Sequence, residues 1–149
     1  MIFKRTIATL ALSFFALTAS ADDCSVTVNS NDQMQYDTKL VEISKSCNDF
    51  TINLNHIGKL PANAMGHNWV LTKADDAHAV ASDGISAGLA NNYLKTGDTR
   101  VIAATKIIGG GESTSVTFPV SKLSETDTYK FFCSFPGHIG MMIGDVKLK

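Results

Sequence analysis

Apolar and polar residues alternate along much of the chain. Val26 and Val28 share one side of the stretch 25–29, and Val116, Phe118 and Val120 share one side of 115–120. A period of two is that of half-buried β-strands. Similar short runs at 40–44, 50–54, 68–72, 100–104, 129–133 and 145–149 bring the predicted strands to about eight. Polar turns separate them, so the pattern predicts an all-β chain folded as an antiparallel Greek-key β-sandwich or barrel. Only 73–93 breaks the rhythm. Its Ala-rich and Asp-containing halves, parted by Ser82-Asp83-Gly84, predict one or two short helices outside the sandwich, covering an edge.

The first 21 residues follow a different logic. Lys4 and Arg5 precede an apolar run from Ile7 to Leu17, and Ala19-Ser20-Ala21 satisfies the small-x-small cleavage rule. This predicts a secretory signal peptide over 1–21, too short and wrongly flanked for a stable membrane anchor. Residues 22–149 then form one domain, long enough to bury a core without metal or dense disulfides. Loss of Lys4 and Arg5 takes the formal net charge from −1 to −3, and weak acidity argues against a nucleic-acid partner.

Three cysteines divide unevenly. Cys24 opens the first strand and Cys47 lies between the strands at 40–44 and 50–54. In an exported protein such a pair is expected to form a disulfide. Cys133 is then the odd thiol, and metal coordination is one reason for it to stay unpaired. Pairing elsewhere, or a plain buried cysteine, is the alternative.

The segment Tyr129 to Met142 concentrates the chemistry. Cys133 ends an aromatic-rich strand, Ser134-Phe135-Pro136-Gly137 turns the chain, and His138, Met141 and Met142 follow. A thiolate, an imidazole and a thioether within ten residues are the soft and borderline donors that copper favours. A second imidazole is available upstream at His67, and Gly66 before it lets a backbone carbonyl approach a bound ion. Two imidazoles, one thiolate and a weak axial methionine make up a blue-copper electron-transfer site. Spacing alone leaves the methionine open between Met141 and Met142.

Met65-Gly66-His67-Asn68-Trp69, Cys133-Ser134-Phe135-Pro136-Gly137-His138 and Met142 together resemble the azurins, bacterial members of the cupredoxin, or type 1 blue copper, family. The resemblance extends to Cys24-Ser25-Val26, Asn31 to Gln35, Lys45-Ser46-Cys47, Tyr93-Leu94-Lys95 and Ser115 to Phe118. It implies one type 1 copper ion held by His67, Cys133, His138 and Met142, with the Gly66 carbonyl as a distant fifth contact. It also implies that Asn68 ties the two ligand segments together and that backbone amides beside it and at Phe135 donate to the Cys133 sulfur. A periplasmic monomer is implied as well, exchanging electrons with redox proteins such as c-type cytochromes or a copper nitrite reductase.

Other conspicuous residues have plainer readings. Trp69 is expected to be core packing, with an electron-relay role as the lesser alternative. His56 matches a buried, titratable histidine of the family and is read as structural rather than as a ligand. His78 is expected to be solvated, and Ala103-Ala104 stands where the family often has a histidine. Leu60, Pro61, Met65, Ile85, Phe135, Pro136 and Met141 are expected to cluster around His138 as an apolar docking patch; ordinary loop packing is the competing explanation.

Of the functional classes, an electron carrier needs a closed site, which four protein ligands supply. A copper enzyme needs an open coordination position or a second metal, and no further histidine-rich constellation exists to build one. Structural zinc accepts the same nitrogen and sulfur donors but takes methionine poorly. A cysteine hydrolase on Cys133 and His138 lacks an orienting residue. Single-electron transfer without enzymatic turnover is therefore the expected function, with copper storage or delivery as the alternative.

Overall fold

The computed structural model describes residues 24–149, and the signal peptide predicted over 1–21 lies outside the described residues. Nine strands within that range form two sheets. The first holds β1 (Ser25–Asn31), β2 (Gln35–Tyr36), β4 (Asp49–His56) and β7 (Ser113–Pro119), in the order β2-β1-β4-β7. The second holds β3 (Leu40–Ile43), β5 (Val70–Lys73), β6 (Ala103–Ala104), β8 (Tyr129–Phe132) and β9 (Ile143–Leu148), in the order β3-β9-β8-β5-β6. Both sheets keep open edges, so the architecture is a sandwich rather than a closed barrel.

Alternation decides which side of each strand faces inward. In β4, Phe50, Ile52, Leu54 and His56 are buried while their neighbours are not. Phe50, Ile52 and Leu54 join Trp69, Leu71, Phe118, Phe131 and Met142 in one core between the sheets. Each fully buried apolar side chain contributes roughly 1.5–3 kcal/mol, so this core carries most of the favourable free energy. Trp69 is completely buried between Phe131 and Phe118, stacked on each. Its indole nitrogen is the one buried side-chain nitrogen or oxygen without a partner among the described residues.

The pairing differs from the antiparallel expectation in two places. β1 runs parallel to β4, and β3 runs parallel to β9. Between β1 and β4 the chain crosses to the second sheet for β3 and re-enters the first in its original direction, a consequence of the Greek-key path that alternation cannot reveal. The two-residue β2 was not foreseen. The run at 100–104 contributes only Ala103–Ala104, and that at 68–72 begins to pair at Val70.

The insertion is helical as expected, with short 3-10 turns around α2 (Ala77–Gly84), which follows the single-turn α1 (Ala62–Met65). Two details change. Ser82-Asp83-Gly84 ends α2 as expected, yet the chain runs on through a 3-10 turn at Ile85–Ala87 and reverses only at Gly88, where φ is +73°. The helix also covers a face rather than an edge, because Ala77, Val80 and Ala81 pack on Val70 and Phe132, the outward-pointing residues of β5 and β8. Cys24 and Cys47 form the expected disulfide, with Cα atoms 5.7 Å apart.

Candidate metal centre

Three donor atoms meet at one end of the sandwich. A sulfur from Cys133 and imidazole nitrogens from His67 and His138 lie within 4.8 Å of one another, and all three residues are buried. The Cys133 Sγ is 3.8 Å from His67 Nδ1 and 3.7 Å from His138 Nδ1. With metal–sulfur bonds of about 2.3 Å and metal–nitrogen bonds of about 2.0 Å, donors in a trigonal plane lie about 3.7 Å apart, whereas tetrahedral donors lie about 3.5 Å apart. The residues present therefore fit one ion shared by all three donors.

Each donor is aimed by its surroundings. His67 is locked by a backbone bridge to Ile108, donating its N–H at 3.0 Å and accepting at 2.9 Å. Its Nε2–H donates to the Asn31 carbonyl at 2.8 Å, which leaves Nδ1 unprotonated toward the sulfur. Cys133 follows β8, and its N–H donates to the Met142 carbonyl at 3.0 Å. The Phe135 carbonyl accepts the His138 N–H across a turn whose Gly137 has φ +84°. Among the described residues the Nε2 of His138 has no partner, and it is not sealed from solvent, so it forms the open edge of the site.

Of the two candidate methionines, Met142 is fully buried in the core with Cys133, whereas Met141 is 48% exposed. The Gly66 carbonyl lies 3.9 Å from the sulfur. A side chain at Gly66 would collide, since a Cβ there would sit 2.3 Å from the Ala62 carbonyl oxygen and 2.5 Å from Ile107.

Asn68 does tie the ligand segments together. Its Oδ1 accepts the Ser134 N–H at 2.9 Å and its Nδ2 donates to the Ser134 hydroxyl at 2.8 Å. The buried Tyr36 hydroxyl donates to the Asn68 carbonyl, and burial, with Cys133 nearby, keeps that phenol protonated. Asn31, Tyr36, Asn92 and Ser134 were not singled out from sequence. Asn31 acts through a backbone carbonyl, which leaves no residue-type signal.

Electrostatics favour neutral imidazoles. Burial is the main cause that lowers His67 to about 4, against the opposing pull of the Asn31 carbonyl, and burial also lowers His138. Burial pushes the Cys133 thiol up to about 11, while backbone hydrogen bonds from Asn68 and Phe135 pull the other way. His56 stacks on His67 with ring centres 4.5 Å apart; its Nε2–H donates to the Met65 carbonyl, and its Nδ1 accepts the Gly58 N–H. Both ring nitrogens are occupied, so it is not placed as a ligand. His78 is exposed, as expected.

These values set a pH dependence. The metal-free thiol is protonated at any pH below about 11, while a bound metal needs the thiolate. Metal uptake at neutral pH should release one proton per ion, all from Cys133. Apparent affinity should therefore fall about tenfold for each pH unit lowered from neutral, and more steeply once His138 and then His67, the latter near 4, begin to protonate. Zinc titration calorimetry in buffers of different ionisation enthalpy measures this count, and a count of zero would contradict the buried protonated thiol.

The residues expected in the docking patch differ in exposure. Leu60, Ile85 and Met141 are exposed, and Met65 is half-buried. Ile85, Phe135 and Pro136 line one cleft between α2 and the ligand loop. Phe135 stacks on the His138 ring at 4.5 Å.

The sequence profile of the copper-binding proteins of the plastocyanin/azurin family matches residues 22–149. The chain belongs to the plastocyanin/azurin family. It is 58% identical over 147 residues to the azurin of Bordetella pertussis, covering 98% of each chain. It is 63% identical to the azurin of Pseudomonas fluorescens biotype C over 85% of this chain and 99% of that one. Among solved structures it is similar to the azurin Az-iso2 of the obligate methylotroph Methylomonas sp. strain J, with a TM-score of 0.82, 52% identity, and coverage of 85% of this chain and 98% of that one. Membership of this family makes copper the metal for the donor cluster.

Proposed function

We propose that this protein is a single-electron carrier, a blue copper protein of the bacterial periplasm. The observation that carries the reading is the buried set of Cys133, His67 and His138 donors, with the sulfur 3.7–3.8 Å from each imidazole nitrogen. Met142 is assigned as the axial ligand and the Gly66 carbonyl as a distant contact. When bound, copper supplies a one-electron Cu(II)/Cu(I) couple.

The protein's part is to keep the donors still. Every ligand segment is held by backbone or buried side-chain hydrogen bonds, so little rearrangement accompanies a change of charge. The Asn68 and Phe135 amides stabilise negative charge on the sulfur, and neighbours of this kind tune the potential. Burial denies substrates a coordination position and leaves the His138 edge as the way in for electrons. Export is supported by the cleavage signal before residue 22, by the family match beginning there, and by the Cys24–Cys47 disulfide. On this reading 1–21 is removed, 22–149 is the working monomer, and its partners are redox proteins such as c-type cytochromes or a copper nitrite reductase.

A visible spectrum of the mature protein with Cu(II), taken before and after a reductant, tests the function. An intense blue thiolate-to-copper band should bleach on reduction and return on reoxidation. Fully metallated protein without that band would favour copper storage or delivery. Docking through the apolar patch has its own test. Met141→Glu should slow electron exchange with a partner about tenfold, corresponding to ~1.4 kcal/mol of lost association. An unchanged stopped-flow rate would remove the patch from the docking surface.

A further inference from the structure

Asn92 joins the helical insertion to both ligand-bearing segments. It follows a 3-10 turn over Leu89–Asn91, and its backbone is left-handed, with φ 55° and ψ 28°. Tyr93 is left-handed as well, at φ 48°. Asparagine tolerates this region better than most residues because its short side chain finds local hydrogen bonds.

The turn is pinned from behind. The Asn92 N–H donates to Leu89, and the Tyr93 N–H donates to Gly88, both at 2.9 Å. A Cβ on Gly84 would lie 2.0 Å from the Tyr93 carbonyl oxygen, so the turn packs directly on the end of α2.

From that fixed position Asn92 reaches three segments. Its carbonyl accepts the Ser134 hydroxyl at 2.7 Å and faces the Asn68 amide nitrogen at 3.4 Å. Its Oδ1 accepts the Ile107 N–H at 2.8 Å. Ser134 follows Cys133, Asn68 follows His67, and Ile107 precedes the residue whose backbone brackets His67. The Ser134 hydroxyl, accepting from Asn68 and donating to Asn92, has its one proton committed to the insertion.

We propose that Asn92 is a positioning residue for the copper centre, setting from the end of the insertion the spacing between the His67 and Cys133 segments. The assignment rests on the copper reading above. It gives the insertion a second task beyond covering β5 and β8.

The test compares the wild-type protein with Asn92→Gly, Asn92→Asp and Asn92→Ala, metal-free and copper-loaded. Asn92→Gly keeps the left-handed backbone and its carbonyl but loses Oδ1; Asn92→Asp keeps an acceptor in place. Copper affinity, measured by chelator competition, should fall at least about tenfold in Asn92→Gly, the usual cost of an outer-shell partner. Its thiolate-to-copper band should shift, while Asn92→Asp should retain the wild-type affinity and band. Asn92→Ala, which also resists the left-handed turn, should be the weakest binder; if it does not fold, the glycine and aspartate variants decide. A lower melting temperature of metal-free Asn92→Gly with unchanged band and affinity would show a merely structural residue and overturn the assignment. Wild-type protein lacking the band would instead overturn the copper-carrier reading, whereas a normal wild type with unaltered variants would overturn only the role of Asn92.

Discussion

Cys133→Ser should abolish the blue band completely and weaken Cu(II) binding by well over about 100-fold, more than the 10–100-fold that loss of an outer-shell partner costs. The sulfur stands 3.7 and 3.8 Å from the two imidazole nitrogens, and the Asn68 and Phe135 backbone pulls its pKa down against burial. A serine hydroxyl in the same place has neither the softness nor the acidity of a thiol, so the two imidazoles lose their anionic partner. Metal-free protein should suffer far less. Serine is smaller but can hydrogen-bond the Nδ1 atoms and the Gly66 carbonyl around it, which limits the cost to about 1–3 kcal/mol for an imperfectly satisfied buried polar group. The contrast between near-complete loss of copper binding and modest loss of stability is the signature of a ligand. Equal losses in metal-free and metal-loaded melting, with the band preserved, would remove Cys133 from the site.

Much of this was legible in the sequence because the deciding signals are residue types. Alternation at 25–29 and 115–120 and the aromatic run before Cys133 mark strands, since a buried face requires apolar side chains. The two histidines, one cysteine and one methionine mark a metal because few other roles need all of them. What stayed hidden depends on backbone. The parallel pairings follow from where the chain crosses between sheets, and β2 is too short to carry a pattern. Gly84 and Gly88 look alike in sequence, yet one is needed for close approach of the Tyr93 carbonyl and the other for a left-handed turn. The carbonyls of Asn31 and Asn92, which hold His67 and Ser134, are groups that every residue possesses.

The second large effect lies at the other end of the sandwich. Replacing both disulfide cysteines, Cys24→Ala with Cys47→Ala, should lower stability by about 3.4 kcal/mol, the entropy of closing a loop with a sequence separation of 23. For a domain of this size that corresponds to a melting point lower by roughly 10–15 °C. The copper centre should not notice. Cys24 and Cys47 sit where β1 and β4 begin, whereas Asn31 and His56, beside His67, end those strands. A strand of seven residues separates them by roughly 20 Å, beyond the distance at which perturbations usually couple. Copper binds only the folded protein, so it stabilises by mass action. The melting gap between metal-free and copper-loaded protein should then match in the variant and the wild type, with the same absorption band. A gap that shrinks when the disulfide is lost would mean that β1 and β4 transmit slack to the ligands, and the rigidity attributed to the site would then belong to the whole sandwich.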